Sequence, residues 1–170
     1  TSLKQVLPVG AQDIRNGFAL VDLPGRFQVL AGKPTTVLDV AHNPHAGAAL
    51  AQSLDKMGYF PYTHAVFGAM ADKDVSAILA RVGVMVDRWY FCDLPTARAA
   101  SAQDLQKQLQ QSNFREKVRS SIHKDPQAAL EAAVSAADPA DRIVVFGSFF
   151  TVGGVLKDGI PRLDAPHLSS

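Results

Sequence analysis

Thr36-Val37-Leu38-Asp39-Val40-Ala41-His42-Asn43-Pro44-His45-Ala46-Gly47 is the stretch whose reading decides the fold. The apolar run through Val37, Leu38, Val40 and Ala41 is short and β-branched, as expected of a strand buried on both faces, and only Asp39 interrupts it. Asn43 stands where a helix N-cap belongs and Pro44 at the first helical position, which supplies a side-chain acceptor and a pre-set φ. Leu50, Leu54 and Met57 then recur at helical spacing, and Gly58 follows as a C′ residue. The unit reads as strand, tight turn, helix. In open α/β sheets, ligands bind at the carboxyl ends of strands, so Asp39 and His42 stand at a candidate site.

The same grammar repeats on both sides of this unit. Phe27 to Ala31 is an apolar stretch joined to the Asp39 strand by the Gly32-Lys33-Pro34 turn. So short a connection allows only an antiparallel pair, which makes one antiparallel edge in an otherwise parallel sheet. Further along, strands are predicted over Ala65 to Met70, Trp89 to Asp93, Lys117 to Ile122 and Arg142 to Phe146. Between them run helices opened by Asp74, by Ser101 with Asp104, and by Asp125 before Pro126, and a last helix follows Gly147-Ser148 from about Phe150 to Lys157. The fold predicted is α/β: a Rossmann-like, doubly wound, mostly parallel sheet with one antiparallel edge strand, and His42, Asp72, Asp93 and Ser148 on one rim.

Composition excludes several function classes. Apolar residues make up 47% of 170, enough for one core. Lysine and arginine number 17 against 16 acidic residues, with no basic run, so nucleic acid is not an expected partner. Cys92 is the only cysteine, which rules out an internal disulfide and a thiolate metal cluster and agrees with a reducing compartment; it reads as a small core residue. No apolar run reaches membrane-spanning length and no basic-then-apolar signal opens the chain, so a cytoplasmic protein without membrane contact is expected. His42 and His45, three apart with no carboxylate or cysteine at ligand spacing, make a poor metal pair, and no metal site is assigned. Neither a phosphate loop nor a Gly-x-Gly-x-x-Gly turn is present, since Gly32-Lys33 runs into Pro34. The chain opens abruptly on a short helical piece, as though cut from something larger.

Four motifs together resemble one family. Pro24-Gly25-Arg26-Phe27-Gln28, Asp39 to Ala46, Asp72-Lys73-Asp74, and Gly147-Ser148-Phe149 with Thr151-Val152 are similar to the carboxyl-terminal domain of folylpolyglutamate synthase and its bifunctional dihydrofolate synthase form, within the Mur ligase superfamily. The resemblance implies a division into residues 1–22, the tail of a preceding ATP-binding domain plus linker, and residues 23–170, the ligase domain. It implies an ATP-dependent amide ligase that adds L-glutamate to dihydropteroate, to folates or to both through an acyl phosphate. Magnesium ligands would belong to the protein's own amino-terminal domain, and the full-length enzyme is expected to be a monomer.

By the same resemblance Arg26 and Asp39 contact ATP, His42 is the catalytic residue at the glutamate or γ-phosphate end, and Ser148 contacts glutamate. The chemistry suits these residue types: a guanidinium bridges phosphate oxygens, and an acceptor-only carboxylate suits ribose hydroxyls. The family often has a histidine where Phe150 stands, so no polar role is expected there. Two rival readings remain at this point, a Mur-type peptidoglycan amino-acid ligase and a non-catalytic Rossmann-like binding module. A non-catalytic module would bind its ligand unaided, whereas half of a ligase site would not.

Overall fold

The computed structural model describes residues 27–112 and 118–156. Arg26 and the Pro-Gly turn before it, the expected elements upstream, Lys117 and Lys157 lie outside the described residues. Six strands form one sheet: β1 (Gln28–Leu30), β2 (Thr35–Leu38), β3 (Thr63–Phe67), β4 (Arg88–Cys92), β5 (Arg119–His123) and β6 (Arg142–Phe146). Their order is β1-β2-β6-β3-β4-β5, with β1 antiparallel to β2 and every other pair parallel. The expected doubly wound sheet with one antiparallel edge is therefore the fold.

Among the described residues, five helices cover it: α1 (Pro44–Lys56), α2 (Val75–Gly83), α3 (Ala102–Gln111), α4 (Pro126–Ala136) and α5 (Phe149–Leu156). Four start on a side-chain cap read from the sequence: Asn43, Asp74, Ser101 and Asp125 accept from the backbone N–H three residues on. At the other end of α1, Gly58 has φ +94° just past the cap residue Met57, the left-handed stop that glycine adopts without strain.

Alternation within the strands sorts the core into two layers. Ala65, Phe67, Trp89, Phe91, Val144 and Phe146 face α1, α2 and α3, where Leu50, Leu54, Ile78, Leu79 and Leu105 close the layer. Val66, Tyr90, Cys92, Ile143 and Val145 face α4 and α5. Cys92 is fully buried, its thiol pushed above the ordinary range by burial and its S–H directed at the Phe67 carbonyl, 3.6 Å away, so it is the inert core residue expected.

The largest boundary differences fall on β3, which begins at Thr63 and ends at Phe67 rather than spanning Ala65 to Met70. Thr63 and His64 are polar yet buried, because each finds partners across the sheet. The early end has a packing cause. Gly147, at φ +122°, crosses so close to β3 that a Cβ there would lie 2.1 Å from the Gly68 carbonyl oxygen. Beyond that crossing Met70 leaves the sheet and bridges Ala99.

Candidate active site

Connectivity opens a crevice at one point of the carboxyl rim. The neighbouring strands β2 and β6 send their following helices to opposite faces, α1 to one layer and α5 to the other. This is a topological switch point, the place where open α/β sheets take ligands. The Asp39 N–H still donates to the Val145 carbonyl at 2.9 Å, so Asp39 leaves β2 beside the end of β6. From there the chain turns through His42 into α1.

Asp39 and His42 are both half-buried and line one open cleft of about 380 Å³ together with Phe27, Asn43, Ala46 and Ser53. The turn is held by its own polar groups. Asp39 Oδ1 accepts from the Ala41 N–H at 2.8 Å, and His42 Nδ1 lies 3.0 Å from the Val40 carbonyl oxygen. A carbonyl can only accept, so Nδ1 carries the hydrogen and the neutral ring keeps its free lone pair on Nε2. His42 thus offers an acceptor when neutral and a donor when protonated. Asp39 has a turn role, and the same carboxylate also borders the cleft.

Phe27, which also lines the cleft, takes φ +43°, a left-handed conformation rare for a residue with a side chain and costing of order 1–3 kcal/mol. Strain of that kind clusters at ligand clamps. Arg26 directly precedes it in the chain.

Ser148 lies on the same rim but does not line that cleft; it is 6% exposed. Its Oγ accepts from the Thr151 N–H at 3.1 Å and sits 3.0 Å from Thr151 Oγ1, which donates to the Gly68 carbonyl at 2.7 Å. Ser148 therefore caps α5 and ties it to the end of β3. In the sequence Thr151 is only one member of a motif; its bridge to Gly68 depends on the strand crossing. Asp93 caps a second helix, accepting from Ala102 N–H at 2.7 Å beside a cleft of about 300 Å³ with His123 and Lys124 on its wall. Asp72 and Arg98 are exposed and Lys73 half-buried.

At the opposite, amino-end rim lies a polar cluster that no sequence pattern announced. His64 is 1% exposed; its Nε2 lies 3.0 Å from Asp141 Oδ2 and its Nδ1 2.9 Å from the Tyr90 hydroxyl. A carboxylate only accepts, so Nε2 donates to Asp141 and Tyr90 donates to Nδ1. Burial pulls the His64 pKa below its ordinary value, outweighing the opposing hydrogen bond and charge of Asp141. Beside it the buried Arg142 donates to the Leu54 carbonyl at 2.7 Å and to Thr63 Oγ1 at 2.9 and 3.1 Å.

Residues 25–149 match the family model described as Mur ligase, glutamate ligase domain. The chain belongs to that family. The dihydrofolate synthase/folylpolyglutamate synthase of Escherichia coli is 35% identical over 151 residues, covering 89% of this chain and 34% of that protein. A solved structure of Escherichia coli FolC in complex with DHPP and ADP superposes with a TM-score of 0.73 at 34% identity, covering 88% of this chain and 34% of that one. A bifunctional folylpolyglutamate synthase/dihydrofolate synthase with Mn, AMPPNP and L-glutamate bound gives 0.69 at 38% identity, with the same two coverages. This glutamate ligase domain thus spans about a third of the length of the relatives it matches. Among its described residues no group of three or more His, Cys, Asp or Glu could hold a metal ion, and no helix is long and apolar enough to cross a membrane.

Proposed function

We propose that this chain is the carboxyl-terminal part of an ATP-dependent amide ligase that adds L-glutamate to dihydropteroate, to the γ-carboxyl of folates, or to both. Residues 23–170 form the ligase domain in this reading, and residues 1–22 are the linker and the tail of an ATP-binding domain. The observation that carries it is the Asp39–His42 turn, two half-buried polar side chains lining an open cleft at the switch point of a Mur-ligase-family sheet. The bound ADP, AMPPNP and L-glutamate of the relatives support the choice of substrates.

The chemistry proceeds in two displacements. A carboxylate oxygen of the pterin substrate attacks the γ-phosphorus of ATP and ADP leaves; the glutamate nitrogen then attacks the acyl carbon, the C–N bond forms, and the C–O bond breaks as phosphate departs with its electron pair. Arg26 would bridge phosphate oxygens and offset the charge developing on the transferred group. Asp39 would accept from the ribose. His42, with its hydrogen fixed on Nδ1 by the Val40 carbonyl, would offer Nε2 to the amine that must shed a proton. Ser148 would contact glutamate. Magnesium would be held by residues of the amino-terminal domain and would neutralise phosphate charge. We read the whole protein as cytoplasmic and monomeric.

The test is an ADP-release assay on the full-length protein with dihydropteroate and with tetrahydrofolate as acceptors. Release that requires L-glutamate and either acceptor is expected. Release that ignores glutamate, or that follows a different amino acid, would contradict the proposal.

A further inference from the structure

Asn43, the residue that opens α1, lines the same cleft as Asp39 and His42. The Ala46 N–H lies 2.8 Å from its side-chain amide and can only donate, so the amide atom facing it is Oδ1 and Nδ2 is turned away from the helix. Among the described residues neither Nδ2 hydrogen has a partner. The neighbouring side chains are of the opposite kind. Asp39 can only accept, and the neutral His42 ring has its one hydrogen engaged with the Val40 carbonyl, which leaves Nε2 as an acceptor. Ser53 also lines the cleft but stands ten residues further along α1, about 15 Å by helix rise. At the turn itself the Asn43 amide is the side-chain donor that the described residues offer.

We infer that Asn43 is a further catalytic residue, whose Nδ2 donates to a non-bridging oxygen of the phosphoryl group while that group is transferred. The inference rests on the ligase reading, in which Arg26 bridges phosphate oxygens and His42 takes the incoming amine. Two acceptors suit an amine, whereas the oxygens of a phosphoryl group need donors. Asn43 supplies one in a fixed orientation, because the bond from Ala46 holds its amide in place before any ligand arrives. Capping and donation are separable here. An aspartate caps a helix as well as an asparagine does, as Asp74 and Asp125 do in α2 and α4, but it has no hydrogen to give.

The experiment uses the full-length enzyme and the glutamate-dependent release of ADP. Asn43→Asp keeps the acceptor for Ala46 and removes both amide hydrogens. It is expected to unfold in urea at the wild-type midpoint, to lower kcat roughly 10²-fold, and to leave the KM values for ATP and for glutamate within about twofold, the pattern of a contact made in the transition state. Asn43→Ser is a neutral cap whose shorter side chain does not reach where Nδ2 does. A fall in kcat of about tenfold or more in that variant would show that the lost donor matters and not only the added charge.

A kcat within about twofold of wild type in Asn43→Ser overturns the inference, whatever Asn43→Asp does and even where Asn43→Asp does not fold, because the amide then serves as a cap alone. A raised KM for glutamate with kcat unchanged also overturns it, since Nδ2 would then hold a carboxylate of the amino acid. If the wild-type enzyme itself releases no ADP in response to glutamate, the ligase reading fails first and the inference falls with it.

Discussion

The two ends of this sheet hold similar residue types in opposite conditions. At the amino-end rim, His64, Tyr90, Asp141 and Arg142 are buried and bonded to one another or to backbone across strands and helices. At the carboxyl-end rim, Asp39 and His42 are half-buried, each bonds backbone of its own turn two residues away, and both border open space. A buried polar group unsatisfied by its neighbours costs about 1–3 kcal/mol, so the pairing of the first set, Asp141 Oδ1 excepted, is accounted for by folding. The second set holds its own turn and, in addition, projects into a cleft. Polar side chains that border open space are what a ligand can reach.

Variants sharpen the contrast. The largest effect is expected from Arg26→Ala in the full-length enzyme, a fall in kcat/KM of roughly 10²–10³, the usual loss for a charge-stabilising donor. The midpoint of chemical denaturation should hardly move. A kcat/KM within twofold of wild type would remove Arg26 from the chemistry.

Arg142→Met tests the other rim. The methionine keeps an apolar stem, leaves the Leu54 carbonyl and the Thr63 hydroxyl without their donor, and should cost about 2–4 kcal/mol in urea denaturation. Activity per folded molecule should be unchanged. A stable Arg142→Met protein with a damaged kcat would reverse the assignment of the two rims.

A smaller, pH-dependent effect belongs to His64. Its folded pKa lies below that of the unfolded chain, so the unfolded state takes up the proton first as pH falls. The stability due to the neutral ring is fully present above about pH 6.5 and is lost on acidification through the window down to the lowered pKa, at no more than about 1.4 kcal/mol per pH unit. Denaturation midpoints at neutral pH and about one unit below 6.5 should diverge for wild type and converge for His64→Gln. Equal slopes for both proteins would show that His64 titrates normally.

Sequence reading reached the carboxyl rim and passed over the amino rim, for a physical reason. The Asn43-Pro44, Ser101 and Asp125-Pro126 starts are local devices written within four residues, and so is the turn that carries Asp39 and His42. The His64 cluster joins residues 26 and 77 positions apart, so no short pattern contains it. The same blindness moved the expected start of β3 to Ala65: Thr63 and His64 look like loop residues until Asp87, Arg142, Tyr90 and Asp141 are brought to them. Ser148 stands in a short motif, but its partner Thr151 is tied to Gly68, 83 residues from Thr151 in the chain.

In the proposed function the carboxyl rim is one part of a shared nucleotide site. Two charge-assisted contacts from Arg26 and Asp39 would supply about 3–6 kcal/mol, against roughly 4–15 kcal/mol for association. Calorimetric titration of the 170-residue chain with magnesium and ATP tests this directly. No saturable heat is predicted below about millimolar ATP; a micromolar dissociation constant would mean that the whole site is here and would contradict the account.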